Sequence, residues 1–151
     1  MASTPQAAVQ AHLDAINAKS SEQLATTVAF PFLHMQPDGE KVWFPSAADL
    51  PDMAGAPFKR TEILESEILA TSGDLVVYSL VFQRYGEDDA PLLRVQGLWG
   101  VHQGQGEWLV GWRQVPGASR GALATSGNDV ARSRVGRCPP RALRSGLWNA
   151  P

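Results

Sequence analysis

Three apolar runs, TSGDLVVYSLVFQRY, LLRVQGLWGVHQ and EWLVGWRQV, dominate the pattern of the chain between Asp74 and Val115. Each is rich in Val, Leu, Tyr, Phe or Trp and bounded by Gly, Asp and Glu, the pattern of strands joined by hairpins. The connections Tyr85–Pro91 and Gly104–Glu107 are too short for a parallel crossover, so the pattern predicts an antiparallel meander. Alternation with period two then sorts the side chains onto faces. The turn positions suggest pairing Tyr78 with Leu98, Leu80 with Gln96, Gln96 with Gln114 and Leu98 with Trp112. One face then carries Val76, Tyr78, Leu80, Phe82, Gln96, Leu98, Val110, Trp112 and Gln114. The other carries Val77, Ser79, Val81, Val95, Trp99, Val101, Leu109 and Arg113. A slip of one residue in either turn exchanges these sets for one strand. Both faces are largely apolar, whereas a sheet with one wet face alternates cleanly. The sheet is therefore expected to be covered twice, by its own helices and by a second subunit.

Upstream, Thr4 and Pro5 suit the N-cap and first position of a helix. Val9, His12, Leu13 and Ile16 recur at helical spacing on its inward face, and Asp14 and Asn17 share an adjoining one. Ser20-Ser-Glu-Gln23 resembles a capping box for a second helix through about Ala29. Phe30–Met35 and Lys41–Phe44 read as a strand pair around the turn Gln36–Glu40, Ser46 to Met53 as a short helix, and Thr61 to Ala70 as a strand. Helices followed by a long meander make an α+β layout, with helices on one side of a curved sheet.

Composition adds bounds. The 151 residues, 44% hydrophobic and 19% charged, suit one soluble domain. No apolar run is long enough to span a bilayer, and the N-terminus lacks the basic-then-apolar order of a signal peptide. A single cysteine, Cys138, excludes an internal disulfide framework and suits a reducing cytoplasm. Three scattered histidines give no metal-site spacing, so neither metal nor cofactor is expected. Residues 1–116 carry a net charge of −7 and residues 117–151 a net +5. An acidic body argues against nucleic-acid binding by the domain. The extension, rich in Arg, Gly and Pro, reads either as an arm for an anionic partner or as an addition with no selected role.

Residues 1–116 resemble the NTF2-like superfamily, in its SnoaL-like branch. The resemblance is carried by AAVQAHLDAINAKSSEQLATTVAFPF, VVYSLVFQRYGEDDAP and LWGVHQGQGEWLVGWRQ. It implies a cone in which helices and a concave sheet enclose an apolar pocket, commonly in a dimer. GVHQGQGEWLVGWRQ is also similar to the last hairpin of limonene-epoxide-hydrolase-like members, where a catalytic aspartate follows Trp-Arg. Here that residue is Gln114, and VVYSLV stands where the Arg-x-Asp pair of those enzymes is expected. An amide cannot serve as that acid or base, which argues against the epoxide hydrolase mechanism. Ketosteroid isomerase, on the same fold, implies a carboxylate on the strand after the second helix; that strand here is FPFLHM, with His34 near the position.

The candidate chemistry follows. An unperturbed imidazole titrates near neutrality and Asp14 is the carboxylate nearest the expected pocket, so His34 or Asp14 is a candidate base, with Tyr78 as oxyanion donor. Equally, His34 beside Phe32 and Met35 reads as structural, and Asp14 as exposed or paired with Asn17. Gln96, Leu98, Val110, Trp112 and Gln114 are the expected ligand-binding wall, although the polar ones can instead satisfy each other. Arg84 and Arg94 flank Glu87-Asp88-Asp89, which predicts local surface ion pairs. Trp99, Val95, Val77 and Leu109 form the expected dimer face. Two functions remain. One is a pocket for a small hydrophobic molecule, with proton transfer on a carbonyl compound if there is turnover. The other is a binder or dimeric scaffold without turnover. The pocket reading predicts a cavity of a few hundred cubic ångströms.

Overall fold

The structure, a computed structural model, describes residues 1–119. Helix α1, Pro5–Asn17, starts where Thr4 Oγ1 accepts the Ala7 N–H at 3.1 Å. Helix α2, Ser21–Thr26, starts where Ser20 Oγ accepts the Gln23 N–H at 3.1 Å. It ends well before Ala29, because the Thr27 hydroxyl donates back to the Leu24 carbonyl at 2.8 Å. Val28 then opens strand β1, Val28–Met35, where Phe30 before a proline is held to extended backbone.

Five more strands follow: β2 (Lys41–Phe44), β3 (Arg60–Ser72), β4 (Leu75–Tyr85), β5 (Pro91–Gly104) and β6 (Glu107–Ser119). Between β2 and β3 the expected short helix is two 3-10 turns, Ala47–Asp49 and Met53–Gly55, the first held by Asp49 Oδ2 accepting from both the N–H and the hydroxyl of Ser46. The six strands form one sheet in the order β2-β1-β6-β5-β4-β3, antiparallel except for β1 beside β6. Strand β6 runs past the expected boundary at residue 116, and the remainder of the Arg-rich extension lies outside the described residues.

Helix α1 covers the inner face of the sheet, where Val9, Ile16, Phe32, Tyr78, Leu80, Trp99, Val101 and Val110 are buried together. Asn17 fastens the end of α1 to the start of β3. Its Nδ2 donates to the Thr61 carbonyl at 2.8 Å and its Oδ1 accepts the Thr61 N–H at 2.6 Å. Asn17→Ala removes both bonds and leaves two part-buried backbone groups unmet. It is expected to cost about 1–3 kcal/mol, read as a lower midpoint in urea unfolding with an unchanged slope.

The meander is present, and its register corrects the expected faces. Tyr85 opposes Pro91 at the turn, but Arg84 opposes Leu93, so Leu92 is an extra residue on β5. Such a bulge shifts all later pairs by one: Tyr78 opposes Trp99, and Leu80 opposes Gly97. Trp99 and Val95 therefore lie in the core, not on a dimer face, and Gln96 and Leu98 turn to the outer face. A second irregularity at Gly111, between the pairs Val101–Val110 and Gly100–Trp112, separates Val110 from its neighbours. Val110 points inward, whereas Trp112 and Gln114 share the outer face with Leu98. The Trp112 indole lies over Gly100, where any Cβ would overlap the ring.

Candidate functional site

Between α1 and the inner face is a cavity with an apolar wall of Leu13, Ile16, Phe82, Leu93, Val95 and Val115. Its polar lining comes from His34 on β1, Gln36 in the following turn, Thr61 on β3, Arg84 on β4, Trp99 on β5 and Arg113 on β6. Parallel pairing puts His34 directly beside Arg113. The Arg113 Nε–H donates to His34 Nδ1 at 2.9 Å, and the guanidinium lies 5.5 Å from the Phe32 ring. Arg84 lies 4.6 Å from the Phe58 ring and 6.0 Å from that of Phe82. The space is small, a cavity volume of about 40 Å³. One water needs roughly 10–15 Å³ on this measure, so a few waters or a short-chain molecule fit, well below the expected few hundred cubic ångströms.

Charge and protonation follow from the burial. His34 is pushed down to about 2, first by burial and then by the charges of Arg113 and Arg84. Burial also lowers Arg113, to about 9 with help from Arg84, and Arg84 to about 10, so both stay cationic at neutral pH. Because a guanidinium N–H can only donate, His34 Nδ1 is an acceptor and the neutral ring carries its hydrogen on Nε2. The lone pair needed for general-base work is thus already engaged. No Asp or Glu appears in the described lining. No group of three His, Cys, Asp or Glu side chains among the described residues is placed to hold a metal ion.

A second histidine, His12 on α1, is fully buried behind this wall and T-shaped against Trp99 at 4.9 Å. Thr27 spends its hydroxyl hydrogen on Leu24, so it accepts from His12 Nδ1–H at 2.8 Å. Burial holds this imidazole well below its ordinary value, with Arg113 adding to the effect.

No protein-family profile matches the sequence. No curated protein matches it either. Solved structures do. An NTF2-like protein from Cytophaga hutchinsonii is 20% identical and superimposes with a TM-score of 0.59 over 72% of this chain and 90% of its own. An NTF2-like protein of unknown function from Pseudomonas putida is 12% identical, with a TM-score of 0.61 over 84% of this chain and 93% of its own. The chain has the NTF2-like fold. A putative calcium/calmodulin-dependent protein kinase type II association domain from Thiobacillus denitrificans shares it, at 15% identity and a TM-score of 0.62 over 76% of this chain and 95% of its own.

Within this NTF2-like frame, His34 lines the cavity as a hydrogen-bond acceptor from Arg113. Asp14 does not: it is exposed on the far side of α1 and accepts from Gln10 Nε2 at 2.8 Å. Tyr78 is core, opposite Trp99, with its hydroxyl pKa raised by burial, and does not line the cavity. Val110 is core, and Gln96, Leu98, Trp112 and Gln114 are on the outer face, for the register reasons given above. Sequence reasoning missed Arg84 and Arg113. Arg84 does not pair with its neighbouring acidic turn; Lys59 and Arg60 reach Asp89 instead, each at 3.4 Å. Arg94 pairs across the sheet with Glu65 at 3.6 Å. The available signal was an arginine on each of two strands otherwise rich in inward apolar positions.

No helix among the described residues is long and apolar enough to cross a membrane.

Proposed function

We propose that the chain is a small-molecule binding protein of the SnoaL-like kind, without turnover. The observation that carries this reading is the engaged His34. Proton transfer on a carbonyl compound needs a group that accepts a proton near neutral pH. The described cavity lining offers no carboxylate, and its imidazole accepts from Arg113. The remaining wall suits binding: apolar side chains with a few convergent polar groups. The cavity size favours a short ligand, or the polar head of a longer hydrophobic one.

The proposal includes a homodimer through the outer sheet face. Trp43 is 55% exposed there, beside Leu33, its partner across the β1–β2 pair. Trp112 pairs with Leu33 from the other side, and Leu98 lies one strand further on. A second copy of the same face covers these side chains in an isologous contact. The single cysteine supports a cytoplasmic setting.

Native mass spectrometry of the full chain, first gently and then after denaturation, tests both parts. The expected spectrum is a dimer with a co-purified small molecule that is lost on denaturation. A monomer overturns the dimer. An adduct-free spectrum that stays adduct-free after incubation with small-molecule mixtures overturns the binding function.

A further inference from the structure

We infer that the Trp99 indole N–H is the anchor of the inner cavity, and that its ligand is a short neutral molecule whose ether- or carbonyl-type oxygen accepts from that donor. This ligand class rests on the binding reading above and narrows it.

Unmet hydrogen-bonding groups argue first. Trp99 is 2% exposed and Thr61 is 5% exposed, and both line the cavity. The Trp99 Nε1–H and the Thr61 hydroxyl are nevertheless buried with no hydrogen-bond partner among the described residues. Buried polar groups are rarely left so, because each loses its water with nothing in exchange. The indole can only donate, so only an acceptor answers it. His34 adds a second donor to the lining, since its Nδ1 is engaged and its hydrogen is on Nε2. Arg113 and Arg84 already have other work, the first bonded to His34 and the second over the Phe58 ring. Neither is asked to hold the ligand.

The surroundings of the indole then set size and charge. Gly97 stands beside it with no side chain; a Cβ there would lie 4.0 Å from Trp99 Nε1 and 3.7 Å from Phe82 Cε1. Ile16, Phe82 and Val95 supply apolar wall. A volume of about 40 Å³ admits a few heavy atoms. An ammonium has donors and no acceptor, so it leaves the indole unmet. A carboxylate has acceptors, but it must shed a tightly held hydration shell, and the donors left to replace it, an indole, an imidazole and a hydroxyl, are uncharged. An ether or carbonyl oxygen sheds far less and meets the same donors.

The test follows the five tryptophan indole N–H signals of the full chain by NMR. The Trp99 signal is assigned from its nuclear Overhauser contacts to the His12 ring, which it meets edge-on. Tetrahydrofuran, cyclopentane and pyrrolidinium, one ring with an acceptor, neither group or a cation, are titrated separately, with butyrate as the anion. Tetrahydrofuran is expected to move the Trp99 signal downfield and saturably, and the other three to cause no downfield shift. Trp99→Phe keeps an aromatic ring and removes the donor. Read from the ligand signals, it is expected to weaken tetrahydrofuran about three- to tenfold more than cyclopentane; if that variant does not fold, the shifts on the unaltered chain decide. The same shift with cyclopentane, or equal weakening of both rings, overturns the anchor and leaves the binding function standing. Saturation by butyrate or pyrrolidinium at lower concentration than tetrahydrofuran overturns the neutral class. A contact between the Trp99 N–H and water that survives saturating tetrahydrofuran assigns the donor to a fixed water and overturns the inference. No shift with any probe, while native spectra carry an adduct, overturns the inference alone. No shift and no adduct overturn both.

Discussion

Trp99→Ala is expected to lower the free energy of unfolding by about 3–5 kcal/mol, whereas Trp112→Ala lowers it by about 1 kcal/mol. The two residues sit on adjacent strands in similar sequence surroundings, GLWGV and VGWRQ, and nothing in either string separates them. Burial does. Trp99 is 2% exposed at the centre of the inner face, edge-on to His12 at 4.9 Å and tilted to Phe82 at 6.3 Å. Its removal leaves a void that α1 and the strands cannot close without moving several packed side chains. Trp112 is only partly buried and rests on Gly100, so its loss uncovers backbone but opens no cavity. Urea unfolding of both variants, followed by circular dichroism, reads the difference. Equal costs, or a larger cost at Trp112, would mean that β5 presents Leu98 inward and that the turn-based pairing was right after all. The oligomeric state moves the opposite way: Trp112→Ala weakens the proposed dimer and Trp99→Ala leaves its surface intact.

That contrast also shows what was legible in the chain. Element order, strand lengths and the meander follow from alternation and turn residues, because local backbone preference and burial pattern agree there. The inward face of β4 was legible too, since Val76, Tyr78, Leu80 and Phe82 keep period two without interruption. What fails is parity across a bulge. Leu92 inserts one residue with no compositional mark, Gly111 inserts one marked only by a glycine within the strand, and parity is all that assigns a side chain to a face. One unseen residue moved Trp99 into the core and Gln96 out of the site. The arginines failed for a different reason. Sequence proximity paired Arg84 with the acidic turn, whereas the start of β3 and the residue before it bring Arg60 and Lys59 to Asp89 from about thirty residues away. His34 was found by position, yet its role depends on the β1–β6 pairing, a contact between residues 79 apart that no local pattern encodes.

Acidification is expected to begin destabilising the chain before its surface carboxylates protonate. Free imidazole titrates near 6.5, whereas folded His34 is held down to about 2 and His12 well below its ordinary value. Between these limits the unfolded chain binds protons that the folded chain does not, so stability is complete above about pH 6.5 and falls as pH drops through the window. Each such proton is worth about 1.4 kcal/mol per pH unit, so the two histidines together remove roughly 3 kcal/mol per unit. Against a typical stability of about 5–15 kcal/mol, about two to five units suffice. The physical origin is specific to each ring. A proton on His34 Nδ1 would displace the Arg113 hydrogen bond and place a third cation beside two guanidiniums. A proton on His12 Nε2 would sit in the core beside Trp99 with no acceptor among the described residues. Asp89, lowered by Lys59 and then Arg60, acts in the same direction but only below the ordinary carboxylate range. Urea unfolding between pH 7.5 and 4.5 measures the slope. His34→Gln keeps an acceptor for Arg113 and removes one titrating group, so the slope should fall by about half, and with His12→Gln added it should become nearly flat. A wild-type slope already flat across this range would mean that both rings take up protons in the folded chain, and the neutral, engaged His34 on which the binding reading depends would have to be given up.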